Sequence, residues 1–274
     1  MSAVVVFIIF AICLVIAIPI SISLGIVAVL PGAFDASFTA SAGYVIRSMV
    51  GGIDSFPLLA VPMFVLAGIL MAHGKISEKL FDVFVYFLGN KRAGIPCAVI
   101  ITCLFYGAIS GSAPATVAAV GSMTIPLLIE LGYEKDFSTA IVAVAGGLGV
   151  IIPPSIPFIM YAMATGESVS ELFLAGIVPG MMISALLIFY AYYYCRRHGE
   201  DREKIQAKMD QLKAKGFFNI LKESIWALLS PVIVLGCIYS GVASPTEAAV
   251  KIGRAHVRTP VTVYNLVCRL LLEK

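Results

Sequence analysis

Charge is what this chain has least of. Only 13% of its 274 residues are charged and 60% are hydrophobic, whereas a soluble domain carries about 25% charged residues. With apolar runs as long as residues 3–30, this excludes an ordinary water-soluble globule and implies an all-α integral membrane protein partnered by the lipid bilayer. The net charge is +3, and most of the basic residues sit in one loop and in the tail, so no nucleic-acid partner is expected. Histidine is limited to His73, His198 and His256, dispersed along the chain, which gives a zinc site little support. The six cysteines (13, 97, 103, 195, 237, 268) show no C-x-x-C spacing and read as small buried hydrophobes. No cofactor is expected. The N-terminus has neither a basic leading segment nor a small-residue cleavage site, so residues 3–30 are expected to stay as a helix kinked at Pro19 and Gly25.

What is present falls into apolar spans with polar punctuation. Residues 31–56 read as an external connection containing some helix, and residues 58–71 as a short span. Residues 80–88 are rich in aromatics and flanked by Lys75, Lys79, Lys91 and Arg92, which suits a helix lying in the membrane interface. Residues 95–109 and 115–130 form two half-length helices, each about 22–24 Å against roughly 30 Å of hydrocarbon. They are expected to make a re-entrant hairpin. Residues 138–165 are expected to cross as a broken helix, and 172–194 as a clean span ending in Tyr190, Tyr192, Tyr193 and Tyr194. Residues 196–222 read as one long soluble loop with eight Lys/Arg, cytoplasmic by the positive-inside rule. Residues 224–240 then cross outward.

The chain is organised around two breaks, residues 107–115 and 146–157, where glycine, serine and proline interrupt apolar sequence. Backbone that leaves the helix at membrane depth survives only where protein or a polar cavity satisfies it. Ser110 and Ser112 bring hydroxyls to the first break. Pro153, Pro154 and Pro157 lack N–H groups and so free carbonyls one turn earlier, around Gly149, Val150 and Pro153. Such carbonyls and hydroxyls suit a hard monovalent cation such as sodium, without a carboxylate. A single break would be read as close helix packing or a proline kink. Two breaks flanking a short helical pair favour an ion site.

Four stretches then carry a resemblance: Ser55 to Gly68 (SFPLLAVPMFVLAG), Ser110 to Ala119 (SGSAPATVAA), Gly149 to Pro157 (GVIIPPSIP) and Ala243 to Ala249 (ASPTEAA). In this order they resemble the DctM-type large membrane subunit of tripartite ATP-independent periplasmic (TRAP) transporters, over about residues 1–250. The resemblance implies an elevator-type ion-transporter fold in the bacterial inner membrane, importing organic acids such as C4-dicarboxylates or sialic-acid-like substrates, with sodium as coupling ion. It implies two partners, a small four-helix membrane subunit and a periplasmic substrate-binding protein. Carried over residue by residue, it assigns sodium to Ser110 and to the carbonyls of Gly149, Ile151 and Pro154, with Ser112 and Thr116 facing substrate.

The family has two inverted repeats, and residues 1–250 cover the first repeat plus a linking span. Residues 251–274 hold five Lys/Arg where an apolar span should begin, and such charge density is costly in hydrocarbon. They resemble translated sequencing-adapter read-through and are expected to be a non-native tail. The second repeat is then missing and the chain is expected to be inactive alone. Three other readings stand beside this one: a sodium/dicarboxylate carrier of a related elevator family, a non-transporting membrane scaffold fragment, and an intramembrane serine hydrolase. The last needs a base within reach of Ser110 or Ser112, and no histidine lies in an apolar span near the breaks, so no enzyme activity is expected.

Overall fold

The computed structural model describes residues 3–34, 42–53, 58, 60–73, 76–214 and 216–242, and all regular structure among them is helical. The 251–274 tail lies outside the described residues, as do residues 54–56. The chain divides into two units, residues 1–55 and 56–274.

The first unit holds α1 (Ala3–Val15), α2 (Ile20–Phe34) and α3 (Ala42–Ile53), with α2 packed against both neighbours. The single kinked helix expected over residues 3–30 is in fact two helices. Ala17 adopts φ 62°, and the Ile18 N–H reaches back to the Cys13 carbonyl while the Ala17 N–H bonds Leu14, each at 3.0 Å. That is a Schellman stop, and Pro19 behind it has no N–H with which to continue α1. The Ser23 hydroxyl then donates to the Pro19 carbonyl at 3.2 Å, inside the first turn of α2. The region expected to be an external connection is mostly helical, since α2 runs on to Phe34 and α3 fills residues 42–53.

The second unit holds α4 (Ala60–His73), α5 (Ile76–Leu88), α6 (Gly94–Ser110), α7 (Ala113–Glu130), α8 (Lys135–Gly146), a 3-10 turn (Gly147–Val150), α9 (Ile156–Thr165), α10 (Val169–His198), α11 (Arg202–Ala214) and α12 (Phe217–Tyr239). α6 and α7 form the central antiparallel hairpin, and α5, α8, α10 and the 3-10 turn pack around it. Residues Ala98, Val99, Ile100 and Cys103 of α6 are buried with Val120 and Leu128 of α7. By length and composition α7 and α10 can each cross a bilayer.

Two expectations need correction here. α5 is longer than residues 80–88 and does not rest freely on a surface: Leu80, Phe81, Val83 and Val85 are buried against α6 and α12, and the Ser224 hydroxyl of α12 donates to the Lys79 carbonyl at 3.0 Å. Its buried residues occupy more than one face, and α6 and α12 pack against them. The 196–222 segment is also no open loop. α10 continues to His198, and α11 buries Ile205, Met209 and Leu212. These recur at the spacing of one helix face, which lays α11 against α5.

Candidate functional site

Both breaks form, and they meet. Ser110 is the last residue of α6, and Gly111 turns the chain with φ 62°, its N–H closing on the Gly107 carbonyl at 2.9 Å. Glycine takes this left-handed conformation without steric cost. Ser112 is extended and opens α7, whose first turn accommodates Pro114. The Ser110 hydroxyl is 1% exposed, lies 2.9 Å from the Thr116 hydroxyl and reaches the Ser112 carbonyl at 3.4 Å. Thr116 in turn donates to that carbonyl at 2.9 Å. Three oxygens thus share one small volume at the tip.

The second break closes over it. α8 tightens into the 3-10 turn, and residues 151–155 then run without helix to Ser155. Ser155 caps α9 by accepting from the Phe158 N–H at 3.4 Å and donates its own proton to the Val150 carbonyl at 2.6 Å. The break is joined to the tip backbone to backbone, the Ile156 N–H donating to the Gly111 carbonyl at 3.3 Å. Glycine permits the approach: a Cβ on Gly107 would stand 2.5 Å from the Gly149 Cα, and one on Gly149 would stand 2.5 Å from the Thr116 hydroxyl oxygen and 3.0 Å from the Ser112 carbonyl oxygen. The Pro154 carbonyl would lie 2.8 Å from a Cβ on Gly111.

Two further elements wall the site. Tyr106, one turn before Ser110, is fully buried and donates to the Gly68 carbonyl of α4 at 3.0 Å. Gly68 also lies against Ser110, whose Cα would be 3.3 Å from a Cβ there. On the other side α10 presents Gly176 and Gly180 to Ile151 and Ile152.

The profile of the tripartite ATP-independent periplasmic transporter DctM component matches residues 7–256. The chain belongs to the DctM family. It is similar to the isethionate TRAP transporter permease DctMQ of Oleidesulfovibrio alaskensis, at 44% identity over 240 residues, 88% of this chain and 37% of that protein. The C4-dicarboxylate TRAP large permease DctM of Rhodobacter capsulatus is 34% identical over 263 residues, 91% of this chain and 58% of the relative. The 2,3-diketo-L-gulonate TRAP large permease YiaN of Escherichia coli is 37% identical over 202 residues, 74% and 46%. The chain therefore spans roughly half the length of these relatives or less.

Within this DctM-family chain, the sites expected from sequence gather unevenly. Ser110, Gly149 and Pro154 come together around the tip. The Ile151 carbonyl turns toward α10, 2.6 Å from where a Cβ on Gly176 would stand. The Val150 carbonyl, expected to be free, is taken by Ser155. Ser112 is half-buried at the rim, but Thr116 has no open face: it is 0% exposed and bonded to Ser110 and Ser112. As a helical residue four positions past Ser112 it points back over the tip. It sits with the Ser110 hydroxyl.

Sequence reasoning missed a second cluster, at the feet of the hairpin. Glu200, 3% exposed in its side chain, accepts from the Ala93 N–H at 3.0 Å and from the Tyr133 hydroxyl at 2.7 Å through the same oxygen, Oε1. Its other oxygen, Oε2, faces Arg202 at 3.5 Å. Burial first, and then the bond to Glu200, push the Tyr133 phenol well above its ordinary range, which keeps it a donor. Beside it Phe137 stacks on Tyr194, with ring centroids 3.9 Å apart, and the Tyr194 hydroxyl donates to Glu134 at 2.6 Å.

Proposed function

We propose that the protein belongs to the large membrane subunit of a sodium-coupled, binding-protein-dependent importer of organic acids in the bacterial inner membrane. It would act with a small four-helix membrane subunit and a periplasmic substrate-binding protein. The observation that carries this reading is the meeting of the two breaks: the Ser110 and Thr116 hydroxyls and the Ser112 carbonyl lie together, the Gly149 backbone lies against them, and the Pro154 carbonyl lies against Gly111 at the turn. Oxygen donors of that kind suit a hard, singly charged cation. Sodium is assigned to Ser110 and to the carbonyls of Gly149 and Pro154, with the Thr116 hydroxyl oxygen as an added ligand, whereas the Ile151 carbonyl, expected in this set, faces Gly176 of α10. Ser112, at the rim, is left to face substrate.

The hairpin is read as re-entrant from where its tip and feet lie, since α7 by itself is long enough to cross a bilayer. α6 has 17 residues and α7 has 18, about 26 and 27 Å of helix. The break that holds the tip packs on Gly176 and Gly180 of α10, about 6 and 12 Å inward from Leu172, where the apolar part of α10 begins. The feet share Glu200 with the basic connector, which the positive-inside rule assigns to the cytoplasm. The tip thus ends inside the hydrocarbon with both feet on one side. Partners and substrate rest on family membership alone. The named relatives carry isethionate, C4-dicarboxylates and 2,3-diketo-L-gulonate, so the substrate class is kept at organic acids.

The test is sodium activation of uptake by the complete transporter in proteoliposomes. Ser110→Ala is expected to raise the half-saturating sodium concentration about tenfold to a hundredfold, the loss of one oxygen ligand to a charge, taken as comparable to one charge-assisted contact. Ser168→Ala, which removes only the cap of α10, should leave it within about twofold. Equal sodium dependence in the two variants would move the ion elsewhere.

A further inference from the structure

Glu200 is the first acidic residue after α10, in a connector whose charges the sequence presents as simple solvation. Its surroundings differ from those of a solvated charge. The carboxylate is withdrawn from water, and its two bonds from Ala93 and Tyr133 span 107 and 67 residues of sequence. The Ala93 N–H belongs to the N-cap of α6, where no side chain of the helix itself supplies a cap. An uncapped N–H buried in this way is costly, and a carboxylate there also meets the positive end of the helix dipole. Tyr133 stands just beyond the end of α7, beside Gly132, where a Cβ would stand 3.2 Å from the Asp201 Cβ. One oxygen thus gathers the start of α6, the end of α7 and the connector between α10 and α11. Arg202 adds a strap, donating to the Asn90 carbonyl at 3.3 Å.

We propose that Glu200 is a positioning residue that clamps both feet of the hairpin to the α10–α11 connector, setting the depth of the tip from the opposite end of the helices. The second break, which holds the tip, meets α10 at Gly176 and Gly180 through the Ile151 carbonyl and the side chains of Ile151, Ile152 and Phe158. A rigid hairpin pinned at its feet delivers Ser110 to the same height along α10 in each position the pair adopts. The clamp rests on geometry alone. Its effect on an ion at the tip rests on the sodium reading above.

Amide hydrogen exchange on the chain in lipid nanodiscs tests it with Glu200→Ala, Glu200→Gln and Tyr133→Phe. A glutamine oxygen can accept both bonds, and the lost pair with the half-exposed Arg202 is screened by water. Glu200→Ala is expected to speed exchange at Ala93 by on the order of 10- to 100-fold and to loosen residues 131–134. Glu200→Gln should stay within about threefold of the parent, and the milder Tyr133→Phe should fall between. Unchanged exchange at Ala93 in Glu200→Ala would overturn the clamp. So would Glu200→Gln exchanging as fast as Glu200→Ala, because the charge and not the shared acceptor would then be responsible. Sodium protection of residues 107–116, titrated in the same samples, separates the two readings. A midpoint that rises about tenfold in Glu200→Ala and is restored in Glu200→Gln supports the positioning role, and an unmoved midpoint alongside fast feet overturns it. Absence of sodium protection in the parent counts against the sodium reading, and exchange at the feet still decides the clamp.

Discussion

Gly107 to alanine is the sharpest perturbation the site offers, because what it meets is backbone. The added Cβ would stand 2.5 Å from the Gly149 Cα and 2.9 Å from the Gly149 nitrogen. Carbon atoms in van der Waals contact sit about 3.5–4.0 Å apart, so the hairpin and the 3-10 turn must separate by about 1 Å or more. Overpacking a core costs about 1–3 kcal/mol where side chains yield. Here none can, so the upper end applies. Spread over a helical domain of this size, about 3 kcal/mol lowers the melting temperature by about 6–12 °C. Gly147→Ala is the internal control: it lies in the same turn, with helical φ −59°, and a Cβ there meets nothing within 4 Å. It should be neutral or stabilising by up to about 1 kcal/mol. Thermal unfolding in detergent, followed by circular dichroism, reads both. If the two variants melt together, the two breaks are not in contact and the site as described is wrong.

Tyr106→Phe removes only the hydroxyl that holds the Gly68 carbonyl and should cost about 1–3 kcal/mol, read as a lower melting temperature. No change would detach α4 from the site wall. Thr116→Val keeps the shape and deletes the hydroxyl shared with Ser110. It should weaken sodium activation of the complete transporter about as much as Ser110→Ala, and a normal sodium response with altered substrate preference would return Thr116 to the substrate side. Cysteines at Lys91 and Lys135, both exposed, should be labelled from the cytoplasmic face only, whereas labelling from opposite faces would end the hairpin as a re-entrant element. Tyr133 has a raised pKa, so its phenol ionises first in the unfolded chain. The stability gap between the parent and Tyr133→Phe should therefore be constant below about pH 10 and narrow above it, and narrowing between pH 7 and 9 would contradict the assignment.

The parts legible in the sequence are those where one residue type forces one outcome. Pro153, Pro154 and Pro157 cannot continue α8, and Gly111 with its two flanking serines turns the hairpin, so both breaks stand where the composition puts them. The helix split at Ala17 escaped notice because alanine is the strongest helix former, and only the neighbouring Pro19 hints at a stop. α11 was hidden by its charge. Eight Lys/Arg between residues 196 and 222 read as a solvated loop, while the apolar positions 205, 209 and 212 that seat the helix are few and widely spaced.

The site shows where local reading ends. Which carbonyl is free cannot be counted from proline positions, because a side chain elsewhere in the break can take it, as Ser155 takes that of Val150. Nor does spacing fix a hydroxyl's direction when the chain leaves the helix between two residues. Ser112 and Thr116 lie one turn apart, yet the extended Ser112 opens toward the rim while Thr116 folds back on Ser110. Glu200 is harder still, for its partners are 107 and 67 residues away and nothing in the surrounding sequence separates it from Asp201 and Glu203. The distinction is made by the αL conformation of Ala93, φ 57°, which turns an otherwise unremarkable N–H toward the connector and leaves it in need of an acceptor. Tertiary structure chooses one carboxylate among several equivalent ones, and that choice ties the feet of the hairpin to the connector that follows α10, the helix on which the second break packs.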